Sequence, residues 1–492
     1  MARSELSSLA KHSGIYFLGS VLNRAASFIL LPLYLNVLTP AEFGWLSVVL
    51  ASMEILALVL GMGIGAAMVR LLVDCEGPRD TGRVIGSSLM FFVLPSLVVL
   101  ALAWPGGQLA AGLVANAGIA PELFTLGFAT AVFTVLFEIV LSVFRGLKLS
   151  WWYTAFSTGK SVLFLVLNSV FLLIFDWGVR GILLGTLTSV LVLCLFALVW
   201  FARRFPLSVT RTDMRRLGAL GLPIVPGAML DAVFSALDKF YLAALVGPAA
   251  VGIYALAARL AHLIRIAIAA PFAQIWTVRR LEVETGDGSE ADLPVFRNAL
   301  LLFLMVFLLA CLTLSLISPE VIWLIGRDEY ARAADFVPFT LAGLFFYMLK
   351  WNFEIGIFAA EKTIWISAVS LTILVLAIPG YQWSVSTHGA YGAAATLVTL
   401  EALRAVLTAT LAAWMSSLVR NFPFWETFVI FAAAAACYVA VRLHTGPFEP
   451  FVALGSRCLA LASYCGVLGV VFATKRDLYE DLRIALGKGR KT

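Results

Sequence analysis

The sequence Leu38-Thr39-Pro40-Ala41-Glu42-Phe43-Gly44 lies between two long apolar segments, and a variant of it returns in the second half of the chain as Val246-Gly247-Pro248-Ala249-Ala250-Val251-Gly252. Two further pairs follow in the same order. Residues 148–151 (Lys-Leu-Ser-Trp) match residues 362–365 (Lys-Thr-Ile-Trp), and residues 178–181 (Gly-Val-Arg-Gly) match residues 389–392 (Gly-Ala-Tyr-Gly). Gly and Pro are common in loops, so one such match carries little weight. Three matches in one order, at nearly constant spacing, indicate an internal duplication.

The composition excludes a soluble fold. The 492-residue chain is 61% apolar and 13% charged, whereas soluble domains are about 25% charged. A soluble protein of this length has too little interior for that apolar surface, but a bilayer accepts apolar side chains that point outward. The six cysteines show neither metal-ligand nor disulfide spacing, so we expect no metal and no cofactor.

The apolar segments define the predicted domains. About 14 of them are long enough to cross a bilayer core, and we predict an all-α polytopic membrane protein with two six-helix lobes and two additional helices. We interpret the first segment as a retained span, because it is too long for a signal peptide. The predicted domains are an N-terminal lobe at 1–203, a basic linker at 204–217, a second lobe at 218–420, two further spans at 421–474 and a basic tail at 475–492. The spans lie near 14–37, 42–70, 84–104, 121–144, 152–175, 180–202, 218–246, 249–277, 294–317, 333–358, 363–380, 389–416, 424–441 and 451–473.

Basic residues predict the orientation. Most of the 35 Lys and Arg residues lie in the loops and tails of one side, including the linker and the C-terminal tail. The positive-inside rule therefore predicts cytoplasmic N- and C-termini, with the protein in a bacterial inner membrane. The same charges could attract anionic headgroups. We expect the linker to form a short interfacial helix or a solvated basic loop.

The duplication and the short connections favour a transporter. Six spans per lobe make the repeats parallel, related by a pseudo-two-fold axis along the membrane normal. No connection has room for a soluble domain, and the chain contains no GxxxxGK[ST] phosphate loop. The energy for transport would then come from an ion gradient, the membrane potential or the gradient of the substrate.

Charged residues inside the spans are the site candidates, because a charge at the centre of a membrane helix costs about 2.5–3.5 kcal/mol. Arg24 lies near the middle of the first span beside Asn23. It is expected to line a wet cavity or to pair with a carboxylate such as Glu54. Arg259, His262 and Arg265 fall within one sector of the eighth span, and guanidinium groups there could hold a multivalent anion.

The remaining charges leave alternatives open. Lys350 with Glu354, and Glu401 with Arg404, have spacings that allow either self-pairing along a helix or a place in the site. Asp238 is the expected structural partner of Lys239. Lys160 could partly reach the membrane surface. The candidate substrate-binding residues are thus Arg24, Asn23, Arg259, Arg265, Lys160, Lys350 and Arg404, and the candidate ion-coupling residues are Glu54, Asp231 and Glu138.

The repeated sequence also carries a resemblance. The turn at 38–44, the stretch from Gly221-Leu222-Pro223 through Asp238-Lys239-Phe240 to 247–254, and Phe144-Arg145-Gly146 resemble bacterial polysaccharide-repeat flippases. Those proteins belong to the multidrug/oligosaccharidyl-lipid/polysaccharide superfamily. The similarity covers most of residues 10–420.

The resemblance implies two lobes arranged in a V around a cationic cavity that opens alternately to each side. In the related lipid II flippases, arginines on spans 1 and 8 bind the lipid diphosphate, and Arg24 and Arg259 occupy those spans here. Asn23 stands where those flippases have an acidic residue, which argues against lipid II itself as the substrate. The last two spans would form a groove for the polyprenyl tail.

Three functions are compared. The leading hypothesis is a flippase, not an enzyme, that moves polyprenyl-diphosphate-linked oligosaccharide to the periplasmic leaflet, working with bilayer lipids and with a polysaccharide polymerase or glycosyltransferases. The first alternative is a cation-coupled multidrug exporter that uses carboxylates such as Glu54 and Asp231. The second is a scaffold of a polysaccharide synthase complex. A glycan polymerase or ligase is disfavoured because the chain lacks a large external loop, and we expect no nucleic-acid partner.

Overall fold

The computed structural model describes residues 28–284, 292–445 and 454–474. Within these residues the secondary structure is helical, with short turns between the helices. Among the described residues, ten helices are long and apolar enough to cross a membrane, and twelve segments qualify when each of two bent pairs is counted as one span. The prediction of an all-α polytopic membrane protein is confirmed.

The helices follow the predicted spans closely. We number them in chain order: α1 Phe28–Val37, α2 Pro40–Gly61, α3 Ile64–Val73, α4 Pro78–Ala101, α5 Ala103–Leu113, α6 Pro121–Gly146, α7 Ser150–Leu173, α8 Gly178–Arg204, α9 Arg211–Gly221, α10 Val225–Leu245, α11 Pro248–Ile264, α12 Ala270–Glu284, α13 Asp292–Ile325, α14 Val337–Ala359, α15 Ile364–Ala413, α16 Ser417–Arg420, α17 Phe424–Thr445 and α18 Leu454–Thr474. Helix α1 is the described end of the first predicted span. The rest of that span lies outside the described residues.

The second predicted span is broken near its middle. Met62 has φ 40° and Gly63 has φ 65°, and two consecutive residues in the left-handed region cannot continue a right-handed helix. Gly221, at the end of α9, packs its backbone directly against Gly63, so that a Cβ on either glycine would meet the other residue. The break therefore separates α2 from α3 and provides the contact surface for α9.

Helix α15 contains two predicted spans in 50 residues. Gly389 has φ 59° and ψ −133°, which is not helical. The hydroxyl oxygens of Ser384 and Thr396 lie 2.6 Å apart, and Arg404 donates to Ser370 Oγ at 2.8 Å. In a straight helix, Ser384 and Thr396 would be about 18 Å apart. The chain thus reverses at Gly389, and the two predicted spans form an antiparallel pair.

The sequence repeats correspond to repeated turns. Gly178 and Gly389 both have positive φ, at 50° and 59°. Lys148 and Glu361 are also left-handed, at 56° and 57°. The sequence match had aligned Lys148 with Lys362, so the structure corrects that alignment by one residue.

The chain forms two compact units, which divide between Gly252 and Ile253. The core of the first unit includes an aromatic cluster around Phe144, whose ring centroid lies 5.0 Å from that of Phe156 and 5.5 Å from that of Phe201. The ring of Trp152 belongs to the same cluster, with its centroid 6.2 Å from that of Phe144. The predicted boundaries at the linker 204–217 remain a prediction.

In the second unit, the last two helices pack against α13, and α17 also contacts α14. Phe431 of α17 stacks on Phe345 of α14 with centroids 4.8 Å apart. Arg457 of α18 forms an ion pair with Glu320 of α13, and the side chain of Arg457 is 4% exposed. A buried ion pair and stacked rings join α17 and α18 to their neighbours in this unit.

Candidate functional site

Two acidic residues of the first unit reach its surface within membrane spans. Glu54 of α2 and Glu138 of α6 are both exposed. An exposed carboxylate is costly in lipid, so each is expected to face water or a polar ligand. Both were candidate ion-coupling residues.

A groove of about 490 Å³ lies between α3 and α6 of the first unit. One wall belongs to the end of α2 and to α3, and the other belongs to α6. Its lining residues are Gly61, Gly65, Ala66, Val69, Val135, Glu138, Ile139, Ser142 and Arg145. The wall from α2 and α3 is built of small residues, and a Cβ on Gly65 would approach Ser142 Oγ to 2.9 Å. These small residues let the two helices approach closely along the groove.

The polar groups of the groove all lie on one face of α6. Glu138, Ser142 and Arg145 have spacings of four and three, which align them on a helix. Arg145 Nη2 donates to Ser142 Oγ at 2.8 Å, and Ser142 Oγ donates to the Glu138 carbonyl at 2.8 Å. The Arg145 guanidinium also lies 5.9 Å from the centre of the Tyr153 ring. The groove therefore offers a positioned guanidinium about two turns from a carboxylate.

Arg145 was missed as a site candidate. In the sequence, Arg145 was notable only as part of Phe144-Arg145-Gly146. The signal was available, because Glu138, Ser142 and Arg145 share a helix face, but the sequence could not show that this face lines a groove.

Lys160 of α7 is half-buried, with its ammonium 5.1 Å from the centre of the Phe137 ring. This cation–π contact provides one partner for a charge inside the membrane. The structure thus places Lys160 against the α6 side chain of Phe137.

The three basic residues of the eighth span are half-buried in the second unit. Arg265 Nη2 lies 3.4 Å from His262 Nε2, so these two side chains are neighbours as the helical spacing predicted. Arg259 lies two turns before Arg265 on the same helix. At Arg265 the α-helix changes to a π-helical turn, Arg265–Ala269, and such turns often occur at functional sites.

The charged pairs of the second unit are more deeply buried. Lys350 is 3% exposed and forms an ion pair with Glu354 at 3.0 Å. Arg404 is 2% exposed and donates to Ser370 Oγ, while Glu401 is 6% exposed. The pairing of Lys350 with Glu354 is confirmed, and the role of Lys350 in substrate binding stays a prediction.

The acidic residues of α10 differ from each other. Asp238 is buried, and its carboxylate accepts from Lys239 Nζ at 3.1 Å and from the Lys239 backbone at 2.7 Å. The predicted structural pairing of Asp238 with Lys239 is confirmed. Asp231 is half-buried. Arg24 and Asn23 lie outside the described residues, so their predicted role stays a prediction.

No group of three or more His, Cys, Asp or Glu side chains in the part of the chain that the structure describes is arranged to hold a metal ion. The six cysteines are free thiols.

Comparison with known proteins identifies the family. The family model for polysaccharide biosynthesis proteins matches residues 9–276. The chain belongs to this family. A search of curated proteins finds no match.

Solved structures share the fold at low sequence identity. The lipid II flippase MurJ in an inward closed conformation superposes with a TM-score of 0.72 at 12% identity, covering 94% of this chain and 99% of its own. An inward-facing multidrug resistance MATE family transporter of the MOP superfamily superposes with a TM-score of 0.67 at 18% identity, covering 82% of this chain and 96% of its own. An outward-facing multidrug resistance MATE family transporter of the same superfamily superposes with a TM-score of 0.57 at 17% identity, covering 83% of this chain and 95% of its own. This polysaccharide biosynthesis protein therefore has the fold of the MOP superfamily transporters.

Proposed function

We propose that this protein is a flippase that moves polyprenyl-diphosphate-linked oligosaccharide from the cytoplasmic to the periplasmic leaflet of a bacterial inner membrane. The family match supports a role in polysaccharide synthesis, and the fold is the one used by transporters with lipid and drug substrates. The observation that carries the proposal is the groove between α3 and α6, with Arg145 exposed in it.

Arginine is suited to the charged part of such a substrate. Its planar guanidinium donates two parallel hydrogen bonds to phosphate oxygens. We assign this role to Arg145 in the first unit and to Arg259 and Arg265 in the second, with Lys160 and the predicted contact Arg24 as further cations. Arg145 is exposed, and Arg259 and Arg265 are half-buried, so a headgroup can reach these three arginines without displacing core side chains.

Lys350 and Arg404 receive a structural role in this proposal. Both are at most 3% exposed, and each has a polar partner within its own unit. Removing one member of a buried ion pair leaves an uncompensated charge. Substitutions at these positions would therefore impair folding before they changed substrate binding.

The flippase proposal is tested by the sidedness of the lipid intermediate. Cells lacking the protein are complemented with wild type, Arg145→Gln, Arg259→Gln or Arg70→Gln, and the fraction of lipid-linked oligosaccharide accessible from the periplasm is measured at matched protein levels. Arg70 is the matched control, because it is an exposed arginine near the groove that is already paired with Asp74. We expect wild type and Arg70→Gln to restore access, and the other two variants to reduce it about tenfold, the loss of one charge-assisted hydrogen bond.

A cation-coupled exporter is the second candidate, and the exposed carboxylates of Glu54 and Glu138 favour it. The same deletion cells distinguish the two functions. Unchanged lipid distribution together with accumulation of a lipophilic cationic dye would support the exporter. Normal flipping by both arginine variants would show that the flippase assignment of these residues is wrong.

A further inference from the structure

The basic linker leads into a short helix, α9, which lies between the membrane helices α8 and α10. Helix α8 ends at Arg204, and the next span contains α10. Between them lies α9, whose axis is bent by 51° from that of α10. This bend turns α9 away from the direction of the span that follows. Residues 211–217 of the predicted linker are therefore helical and residues 205–210 are not, and the interfacial position of the helix stays a prediction.

The segment before α9 is held against α4 by its backbone. The carbonyl oxygens of Pro206 and Ser208 lie 2.4 Å from the positions that Cβ atoms on Gly82 and Gly86 would take, which is too close for a side chain there. The Thr210 backbone N–H donates to Ser87 Oγ at 3.0 Å. The absence of side chains at these two glycines thus lets the linker backbone pack directly against α4.

A buried ion pair fixes α9 itself. Asp213 is 3% exposed and accepts from Arg83 Nε of α4 at 2.8 Å and from Thr210 Oγ1 at 2.7 Å. Leu217 is completely buried one turn further along. Asp213, Leu217 and Gly221 share one side of the helix, which leaves the opposite side uncovered.

The exposed residues of α9 and of the segment that precedes it are mainly basic and apolar. Because Asp213 is paired with Arg83, its charge does not offset the surrounding arginines. We define the linker surface by its exposed residues, Arg203, Arg204, Arg211, Arg215 and Arg216 with Leu207, Val209 and Leu220. The apolar members are 40%, 52% and 45% exposed.

We propose that the linker surface binds anionic phospholipid headgroups, of the phosphatidylglycerol class, in the cytoplasmic leaflet. Exposed arginines at the end of a membrane span lie at headgroup level, where each basic residue is attracted to the negative surface. Exposed apolar side chains between them can enter the acyl boundary, as in interfacial amphipathic helices. Because α9 leads directly into α10, lipid binding would also hold the start of that span. The proposal does not depend on which substrate is transported.

Lipid retention by the purified full-length protein tests the proposal. Delipidated protein is supplied with phosphatidylglycerol or phosphatidylcholine, and bound lipids are counted by native mass spectrometry. We expect wild type to retain phosphatidylglycerol preferentially, and Arg211→Gln/Arg215→Gln/Arg216→Gln to retain it at least about tenfold less. The corresponding triple lysine variant keeps the charge and should bind like wild type. Raising the salt concentration should weaken wild-type binding, since exposed charges are screened.

Matched measurements make the result decisive. The glutamine variant leaves Asp213 and Leu217 intact, and equal thermal unfolding in phosphatidylcholine micelles would show that it is folded. Arg327→Gln/Arg332→Gln removes two exposed arginines from the predicted external side and should leave retention unchanged. Equal retention by wild type and the triple glutamine variant would overturn the proposal. The proposal would also be overturned if Arg327→Gln/Arg332→Gln lost as much phosphatidylglycerol as the triple glutamine variant, or if inorganic phosphate displaced the bound lipid.

Discussion

Helices α2 and α11 begin with the two copies of the repeated sequence, and their first turns are stabilised differently. In the first copy, Thr39 Oγ1 accepts from the Glu42 backbone at 3.3 Å, and the Glu42 carboxylate accepts from the Thr39 backbone at 2.8 Å. In the second copy, Gly247 with φ 123° precedes Pro248, and Ala250 takes the place of Glu42. The reciprocal capping bonds of the first copy cannot form there, because neither side chain carries a polar atom.

The last glycine of each copy has the same role in both. A Cβ on Gly44 would overlap the Pro248 carbonyl oxygen, and a Cβ on Gly252 would overlap the Pro40 carbonyl oxygen. The first turns of α2 and α11 therefore pack against each other, and each turn contributes one glycine to the contact. Both copies of the repeated sequence thus share the close backbone contact at their last glycine, whereas only the first copy has the capping bonds between Thr39 and Glu42.

The largest expected effect comes from filling this contact. Gly44→Ala and Gly252→Ala should each lower the free energy of unfolding by about 1–3 kcal/mol, the usual cost of overpacking. Thermal unfolding in detergent measures the change. Gly466→Ala is the control, because its Cβ would meet nothing within 4 Å, and removing a helical glycine there should stabilise the protein by about 0.5–1 kcal/mol. If only one of these two variants is destabilised, the two glycines do not contribute equally to the contact, and the prediction is wrong.

The third pair of repeated turns should respond unequally. Gly178 has φ 50°, which asparagine tolerates when the conformation is left-handed helical. Gly389 combines φ 59° with ψ −133°, a region that side chains strongly disfavour. Gly389→Asn should therefore lose about 1–3 kcal/mol, and Gly178→Asn should lose less in the same unfolding assay. Equal losses would mean that the turn at Gly389 is not specifically dependent on glycine.

The smallest effect is expected at the cap of the first copy. Thr39→Ala removes the side-chain acceptor of the capping box and should cost about 1 kcal/mol. Thr39→Ser keeps the hydroxyl and should unfold like wild type. A Thr39→Ala protein as stable as wild type would show that α2 does not need its cap, and that the two copies are equivalent in stability.

Much of the fold could be predicted from the sequence. Long apolar segments predicted the membrane helices, and the repeated turns predicted where several of them begin. The break at Met62–Gly63 was not predicted, because the three glycines at 61, 63 and 65 do not reveal that Met62 between them is also left-handed. The turn at Gly389 was predicted between two spans, but its position followed only from the contact of Ser384 with Thr396.

The candidate site was predicted less completely. The sequence correctly indicated that charges within the spans need explanation, and it paired Asp238 with Lys239. It could not separate exposed Glu54 and Glu138 from buried Lys350 and Arg404. Nor could it place Arg145 in a groove.

The sequence by itself determined the membrane class, the duplication and the approximate spans, because burial in a bilayer depends on local composition and length. Only the tertiary structure decided what each charge does. The cost of a charge depends on the side chains around it and on its access to water, and these are set by helices distant in sequence. The same reason explains Gly44 and Gly252, whose importance appears only when the two copies of the sequence are in contact.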